Sequence, residues 1–447
     1  MSNGKKIFKY LICALVTAAV CILLLTLACC IPSSAIEKGV RGSADYLSTR
    51  DPFKTMYGGL LNSTQDNYSD AVLVNIAYNV DSEKPLLSVL KAEYYLNDSN
   101  SQWNSILEML SDDSITPNEE YARYWHGSLI YIRPLLAVMD LYGVRILVGL
   151  IVTLSSIYIV VKLWKKNMKD VALIYVIVLC LIHFWMSFAS LENGNCLMVM
   201  SLGTAIFLSL PKKDESTCFC YFLSIGIVTY FMDFLTVETL PLTIPMCLWL
   251  IEKGREAGTD ATCRRKGLIF FIKGTLMFLA GYVGMFLGKL LVIGVTMGGE
   301  TLRSSVAEGL FRSSGAATGV YTIDGQLEIV VASGFKMYYA AIWRNFAMLF
   351  PLTQATNGSL PITLTLIIIA ICSLMVYLFH EKDKKNYIYP ILWFTAFIPL
   401  GRYLILANHA CVHYFFTYRA LMPFLLVLIL WTKDNCGLLT RRISRTI

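Results

Sequence analysis

Ten apolar runs recur along the chain, at residues 11–31, 144–163, 171–190, 196–210, 218–235, 240–251, 268–295, 362–379, 388–407 and 421–431. In a bilayer every backbone polar group must be satisfied within its own segment, so such runs can cross only as helices or closed barrels. Runs this long and this apolar read as helices of about 20 residues. Those at 196–210, 240–251 and 421–431 are short and borrow flanking Tyr, Thr and Pro residues. Composition agrees: 56% of the 447 residues are hydrophobic and only 15% are charged. A soluble domain carries about 25% charged residues, so a polytopic membrane protein is the expected class. We therefore expect an all-α integral membrane domain over residues 1–447 with about ten transmembrane helices.

Charge placement sets the expected orientation. Lys5, Lys6 and Lys9 precede the first run. Alternate connections then hold Lys162/Lys165/Lys166/Lys169, Lys212/Lys213, Lys253/Arg255/Arg264/Arg265/Lys266, Lys382/Lys384/Lys385 and Lys433/Arg441/Arg442/Arg445. The short connections 191–195, 236–239 and 408–418 carry no Lys or Arg apart from Arg419 at the border of the last. Cytoplasmic loops carry the Lys and Arg excess. Both termini are therefore expected inside, with residues 433–447 a cytoplasmic tail and a bacterial plasma membrane the expected location. The net charge of +7 belongs to these clusters, and a nucleic-acid role is excluded from the working hypotheses. Most of the thirteen cysteines, such as Cys13, Cys21, Cys180 and Cys247, lie inside apolar runs as small buried hydrophobes.

Two of the expected extracytoplasmic loops are long, 33–142 and 296–360. In the first, Trp103, Ile106, Leu107 and Leu110 follow i, i+3, i+4, i+7 spacing, and Val72 with Ile76 marks a second amphipathic segment. Helices of this kind beside a membrane lie in its surface plane or pack as a small loop domain. The second loop is Gly/Ser-rich over 304–319 and amphipathic over 335–350, which reads as a lid followed by a surface helix.

The polar residues that are costly in a membrane gather at one rim. Asp66 and Asp70 stand four apart where the first loop turns into a helix. As a working pair, one is a general base and the other positions a hydroxyl or a cation. The same pair also fits an N-cap carboxylate followed by a first-turn acid. Asp66 is the favoured base because it precedes the helix. Around this stretch the rim adds His126 and Arg133 in an aromatic segment, Glu192 with Asn193 and Asn195, Asp233 and Glu238, Lys289, Arg402, and the cluster His409, His413, Tyr418 and Arg419. His409 and His413 at i, i+4 have a metal-like spacing, but no Glu completes a zinc motif. No metal ligand set is assigned, and a requirement for a divalent cation is left open. Arg and His are apt donors to an anionic group, so His413, Tyr418 and Arg419 match a phosphate better. No Gly-rich nucleotide loop, G-x-S-x-G elbow or HExxH motif is present.

One crossing helix, a large loop with early carboxylates and amphipathic helices, and then many crossings resembles the GT-C superfamily of polyprenyl-phosphate-sugar-dependent glycosyltransferases. The segments around Tyr124-Trp-His126-Gly, Asp233-Phe-Leu-Thr and Asn408-His409 to Tyr418-Arg419 also look like those of bacterial membrane proteins of surface-polysaccharide assembly. The resemblance implies transfer of a sugar from a polyprenyl-phosphate donor to a glycan, lipid-linked glycan or protein acceptor on the extracytoplasmic face. Asp66 or Asp70 would be the base. Lys289, Arg402, His409, His413, Tyr418 and Arg419 would hold the lipid phosphate, and His126, Arg133, Glu192, Asn193, Asp233 and Glu238 would position the acceptor. The competing classes are a transporter or flippase of lipid-linked sugars and a polysaccharide polymerase or ligase. A transporter is expected to place polar groups at the midplane between inverted repeats, and the sequence has neither. Polymerases of this kind carry their large loop late in the chain.

Overall fold

A segment rich in Leu, Ile, Val and Ala and free of proline builds α1 (Asn3–Cys29), and Pro32 then forces the chain out before α2 (Ser33–Ser48). In the computed structural model, residues 3–57, 59–99, 101–211, 213–232, 235–257, 262–323, 326–350, 359–379 and 388–436 are described. Asp233, Lys212, Lys382, Lys384, Lys385, Arg441, Arg442 and Arg445 lie outside them.

The described chain is mostly helical. After α2 come α3 (Asn67–Asn79), α4 (Pro85–Lys91), α5 (Gln102–Met109) and α6 (Leu129–Leu136). With α2 these helices occupy the first long loop, and α5 is the helix marked by Trp103, Ile106 and Leu107. The bundle continues with α7 (Leu141–Lys165), α8 (Lys169–Leu181), α9 (Leu191–Ser209), α10 (Glu215–Met232), α11 (Leu240–Ala257) and α12 (Thr262–Thr296). The second long loop holds α13 (Gly299–Ser314) and α14 (Gly334–Ala347). The chain then runs through α15 (Ser359–Leu378), α16 (Tyr389–Ile405), α17 (Ala407–Val412), α18 (Tyr414–Thr417) and α19 (Met422–Asn435).

Among the described residues, six helical segments are long and apolar enough to cross a membrane: Gly4–Cys29, Leu141–Lys165, Leu191–Ser209, Glu215–Met232, Thr262–Thr296 and Tyr414–Asn435. The other four apolar runs lie on α8, α11, α15 and α16. Of these, α8 has 13 residues and α16 has 17, less than the roughly 20 an upright crossing needs. Leu15, Leu154, Leu276 and Leu291 are each more than half exposed. A row of such side chains along long helices is the surface that hydrocarbon, not water, covers.

Helices α10 and α12 approach closely because glycine removes the side chain at their crossing. A Cβ at Gly281 would lie 2.1 Å from the Leu223 carbonyl oxygen, and one at Gly226 would lie 2.2 Å from the Phe278 oxygen. Small residues at a crossing let two backbones touch where there is no hydrophobic gain between helices.

The loop elements gather at one end of this bundle. Arg133 donates to the carbonyls of Ala28, Ile31 and Ala77, joining α6 to the end of α1 and to α3. The Gly127 amide donates to Phe231 O at 3.0 Å, at the end of α10. At the opposite end, Asp170 accepts from Arg255 and Lys433, and Glu252 from Lys166 and Lys213.

A small sheet interrupts the helical rule at the loop end. Its strands are β1 (Phe53–Thr55), β2 (Thr64–Asp66), β5 (Ala317–Ile323) and β6 (Gln326–Ala332), in the order β2-β1-β5-β6; β3 (Glu93–Tyr94) and β4 (Glu119–Glu120) form a separate pair. The register pairs Phe53 with Asp66 on one side and with Ile323 on the other. The two long loops are thereby one structure. What the Gly/Ser-rich composition of 304–319 suggests as a lid is the end of a helix followed by the first strand of a hairpin.

Candidate functional site

Asp66 ends β2 and caps α3. Its Oδ1 accepts from the Ser69 amide and its Oδ2 from the Ser69 hydroxyl, both at 2.7 Å. Asp66 is therefore an N-cap, and its carboxylate also lines a cavity of about 540 Å³. The residue is 4% exposed. Burial pushes its pKa up to about 7, against the pull of the two Ser69 hydrogen bonds. A carboxyl group poised there can exchange a proton near neutral pH.

The rest of the cavity comes from distant parts of the chain. Arg123 and Tyr124 stand ahead of α6, Glu192 is in the first turn of α9, Arg312 is on α13, Tyr321 on β5, His409 on α17 and His413 just after it. Phe53 and Tyr321 meet edge to face with centroids 5.0 Å apart, on strands β1 and β5, which the Phe53–Ile323 pairing brings together. Tyr68, Tyr94 and Tyr121 complete an aromatic wall. An aromatic wall facing convergent polar groups is a common lining of a small-molecule site.

His413 is held between Arg312, whose Nη1 lies 3.4 Å from Nε2, and Tyr321, whose hydroxyl lies 3.2 Å from Nδ1. A guanidinium can only donate, which assigns Nε2 as the acceptor and Nδ1–H as the donor to Tyr321. Burial, with Arg312 and Arg402 adding to it, holds this imidazole down to about 3. His413 is a neutral hydrogen-bonding group here, not a cation. His409 sits against it at a ring distance of 4.5 Å and takes Arg402 Nη2 on Nδ1 at 3.2 Å.

Asp70 has a different fate. Its carboxylate lies 2.7 Å from Arg145 Nη2 with both side chains fully buried, and it accepts the Leu191 amide at 2.9 Å. Arg145 also donates to Asn67 Oδ1 at 3.0 Å. Asp70 thus ties α3 to α7 and α9, and it does not line the cavity.

Of the cationic and polar rim residues, several are engaged with the protein itself. Lys289 donates to Leu90 O at 2.9 Å under the Trp125 ring. Arg402 pairs with Glu238 at 2.8 Å and donates to Leu235 O. Arg419 donates to Ile182 O at 3.1 Å and to Asn62 O at 3.0 Å, and Tyr418 donates to the same Asn62 carbonyl at 3.1 Å. These two side chains brace the backbone four residues ahead of Asp66. His126 takes a left-handed backbone (φ 53°), and its Nε2 lies 2.9 Å from Tyr121 O. Glu192 accepts from Thr236 at 3.1 Å, and Asn193 is buried on α9. Of the expected set, the cavity brings together Asp66, Glu192, His409 and His413. Among the described residues, no three His, Cys, Asp or Glu side chains converge as metal ligands.

Arg312 and Tyr321 carried no site expectation from the sequence, while Arg123 stands in the aromatic segment that also holds His126 and Arg133. The sole local signal was Glu308 with Arg312 at i, i+4, a spacing that usually marks a solvated helix face. No protein-family model matches the chain, nor does any curated protein or solved structure.

Proposed function

We propose that this chain is a membrane glycosyltransferase of GT-C type, crossing the bilayer about ten times, with a polyprenyl-phosphate sugar as donor. The observation that carries the reading is the Asp66 carboxylate, buried, raised in pKa and facing a cavity that also holds Arg123 and Arg312. The basic residues of the described connections, Lys166, Lys213, Arg255 and Lys433, lie at the end of the bundle away from this cavity. By the positive-inside rule the cavity then faces the extracytoplasmic side, where nucleotide sugars are lacking and lipid-linked donors are available.

In this mechanism Asp66 takes the proton of an acceptor hydroxyl as its oxygen attacks the anomeric carbon. The bond from that carbon to the phosphate oxygen breaks, and polyprenyl phosphate leaves with the electron pair. Arg123 and Arg312 meet the charge that grows on the leaving oxygen. Neutral His413 orients Arg312. The aromatic wall offers faces for a sugar ring. A transporter would hold its substrate among helix halves near the midplane, whereas this cavity lies where loop elements meet helix ends.

The test is direct. Purified protein is given polyprenyl-phosphate sugars and a glycan acceptor, and release of lipid phosphate is followed. Wild type releases it and Asp66→Asn does so at least about a hundredfold more slowly; equal release by both removes Asp66 as the base.

A further inference from the structure

Arg123 and Arg312 do not face the cavity unaccompanied. Glu308 Oε1 lies 2.9 Å from Arg312 Nε and 3.9 Å from Arg123 Nη2, so two guanidiniums share one carboxylate oxygen. Among the described residues, it is the one carboxylate in ion-pair reach of either arginine. Arg123 also lines a second cleft of about 660 Å³, bordered by Glu120, Glu300 and Glu308. The Arg123–Glu308–Arg312 contact is therefore the partition between that cleft and the cavity of Asp66.

We propose that Glu308 is a built-in stand-in for a phosphate group, occupying an Arg123/Arg312 anion site until a phosphate ester displaces it and frees the part of α13 ahead of Arg312 as a lid. Three observations carry this. The three side chains are only about a quarter to a third exposed (26%, 24% and 30%) yet not sealed, so the pair is weakened by water and easily exchanged. A phosphate offers two or more oxygens to planar guanidiniums where the carboxylate gives one here, and bidentate contacts favour it. No side chain of the helix that carries Glu308 is fully buried, and that helix starts after Gly298 at φ +89°.

The anchoring of that helix makes the exchange directional. Ser313 donates to Ile405 O at 2.6 Å, and Asn408 donates to Gly315 O and Ala316 O. These bonds hold the C-terminal end, next to Arg312. Glu308 stands a turn earlier, towards the Gly298 hinge. Arg312 stays in the cavity while Glu308 withdraws. The inference rests on the proposed glycosyltransferase reading for the identity of the ester, but the exchange itself needs no sugar transfer.

Binding to the full-length protein in detergent is measured with two probes, inorganic phosphate and farnesyl phosphate. Glu308→Gln is expected to tighten binding by roughly threefold, Arg312→Gln to weaken it about tenfold, and Glu300→Gln to leave it unchanged. Tightening for farnesyl phosphate alone identifies a lipid headgroup as the ligand; tightening for both identifies phosphate itself. Unchanged or weaker binding by Glu308→Gln overturns the exchange, and so does equal tightening by Glu300→Gln, which would be a general field effect. Hydrogen exchange of the α13 amides in the wild-type protein gives an independent readout. Faster exchange at saturating farnesyl phosphate supports the lid, and unchanged protection overturns it. A protein that exchanges Glu308 for phosphate but transfers no sugar would refute the glycosyltransferase reading and leave this inference standing.

Discussion

The Asp70 carboxylate lies 2.7 Å from the Arg145 guanidinium, both fully buried, while Asp66 one helical turn earlier turns its carboxylate into the cavity. Two acids that look equivalent in sequence therefore do unlike work. Asp70 neutralises an arginine that would otherwise sit uncompensated among α3, α7 and α9. Asp66 takes its side-chain hydrogen bonds from Ser69 and remains able to gain and lose a proton.

Asp66→Asn should keep the fold and lose the chemistry. Asn caps a helix about as well as Asp, so melting temperature and purified yield stay near wild type. General-base catalysis contributes about 10²- to 10⁴-fold, and turnover in the lipid-phosphate release assay should fall by that much. A loss of folded protein in place of a loss of turnover would assign Asp66 a purely structural role.

Asp70→Asn should do the reverse. Removing one partner of a buried pair costs about 3–5 kcal/mol, because the other charge is left uncompensated. Folded yield and melting temperature drop, while turnover per folded molecule holds. The double change Asp70→Asn with Arg145→Met should recover much of the stability, since no buried charge remains. Thermal unfolding of the purified singles and the double in one detergent decides the matter.

The pH dependence follows from burial. Asp66 must be ionised to accept a proton, and its carboxyl is pushed up to about 7. An exposed aspartate titrates at about 3.9. As pH falls through 7 the base form is lost, so kcat/KM should decline along an acid limb centred near 7. It should not hold steady down to pH 5. The residual activity of Asp66→Asn should lack that limb. A wild-type profile flat from pH 8 to 5 would mean that some other group is the base.

Arg419 separates a bracing role from a phosphate-binding one. Its guanidinium holds the Ile182 and Asn62 carbonyls, and Lys cannot span both. Arg419→Lys should lower the melting temperature and reduce kcat by roughly ten- to a hundredfold, because Asp66 is displaced. The KM for the donor should change little. A raised donor KM with unchanged thermal stability is the outcome expected of a phosphate ligand and contradicts the bracing role.

Gly281→Ala tests the α10–α12 crossing. With its Cβ placed 2.1 Å from the Leu223 carbonyl oxygen, the helices must part. Such overpacking costs about 1–3 kcal/mol, read as a lower melting temperature. Gly284→Ala, whose added Cβ would meet no neighbouring heavy atom within 4 Å, is the control and should be neutral.

What was legible in the sequence was whatever depends on neighbours along the chain. Apolar runs, the prolines and polar stretches that end them, and the helix at 102–109 follow from local periodicity and from the need to satisfy backbone groups in lipid. The N-cap character of Asp66 and the first-turn place of Asp70 were equally local. The sheet was not legible. Its strands β1 and β2 are three residues each, too short to show alternation, and they are stabilised by a hairpin more than 250 residues later. Nor could local pattern say which acid would be paired, because Arg145 reaches Asp70 from the far side of the first loop. Lys289, Arg402 and Arg419 look like free cations in a linear chain, and only packing engages them with carbonyls and with Glu238. Arg123 and Arg312 look like solvated surface charges until the folding of the two long loops against each other turns them toward Asp66. Sequence alone determined a helical membrane protein with its polar residues at one rim. Tertiary structure decided which of those residues face one another, since a buried charge takes the partner that the fold brings within reach, wherever along the chain that partner lies.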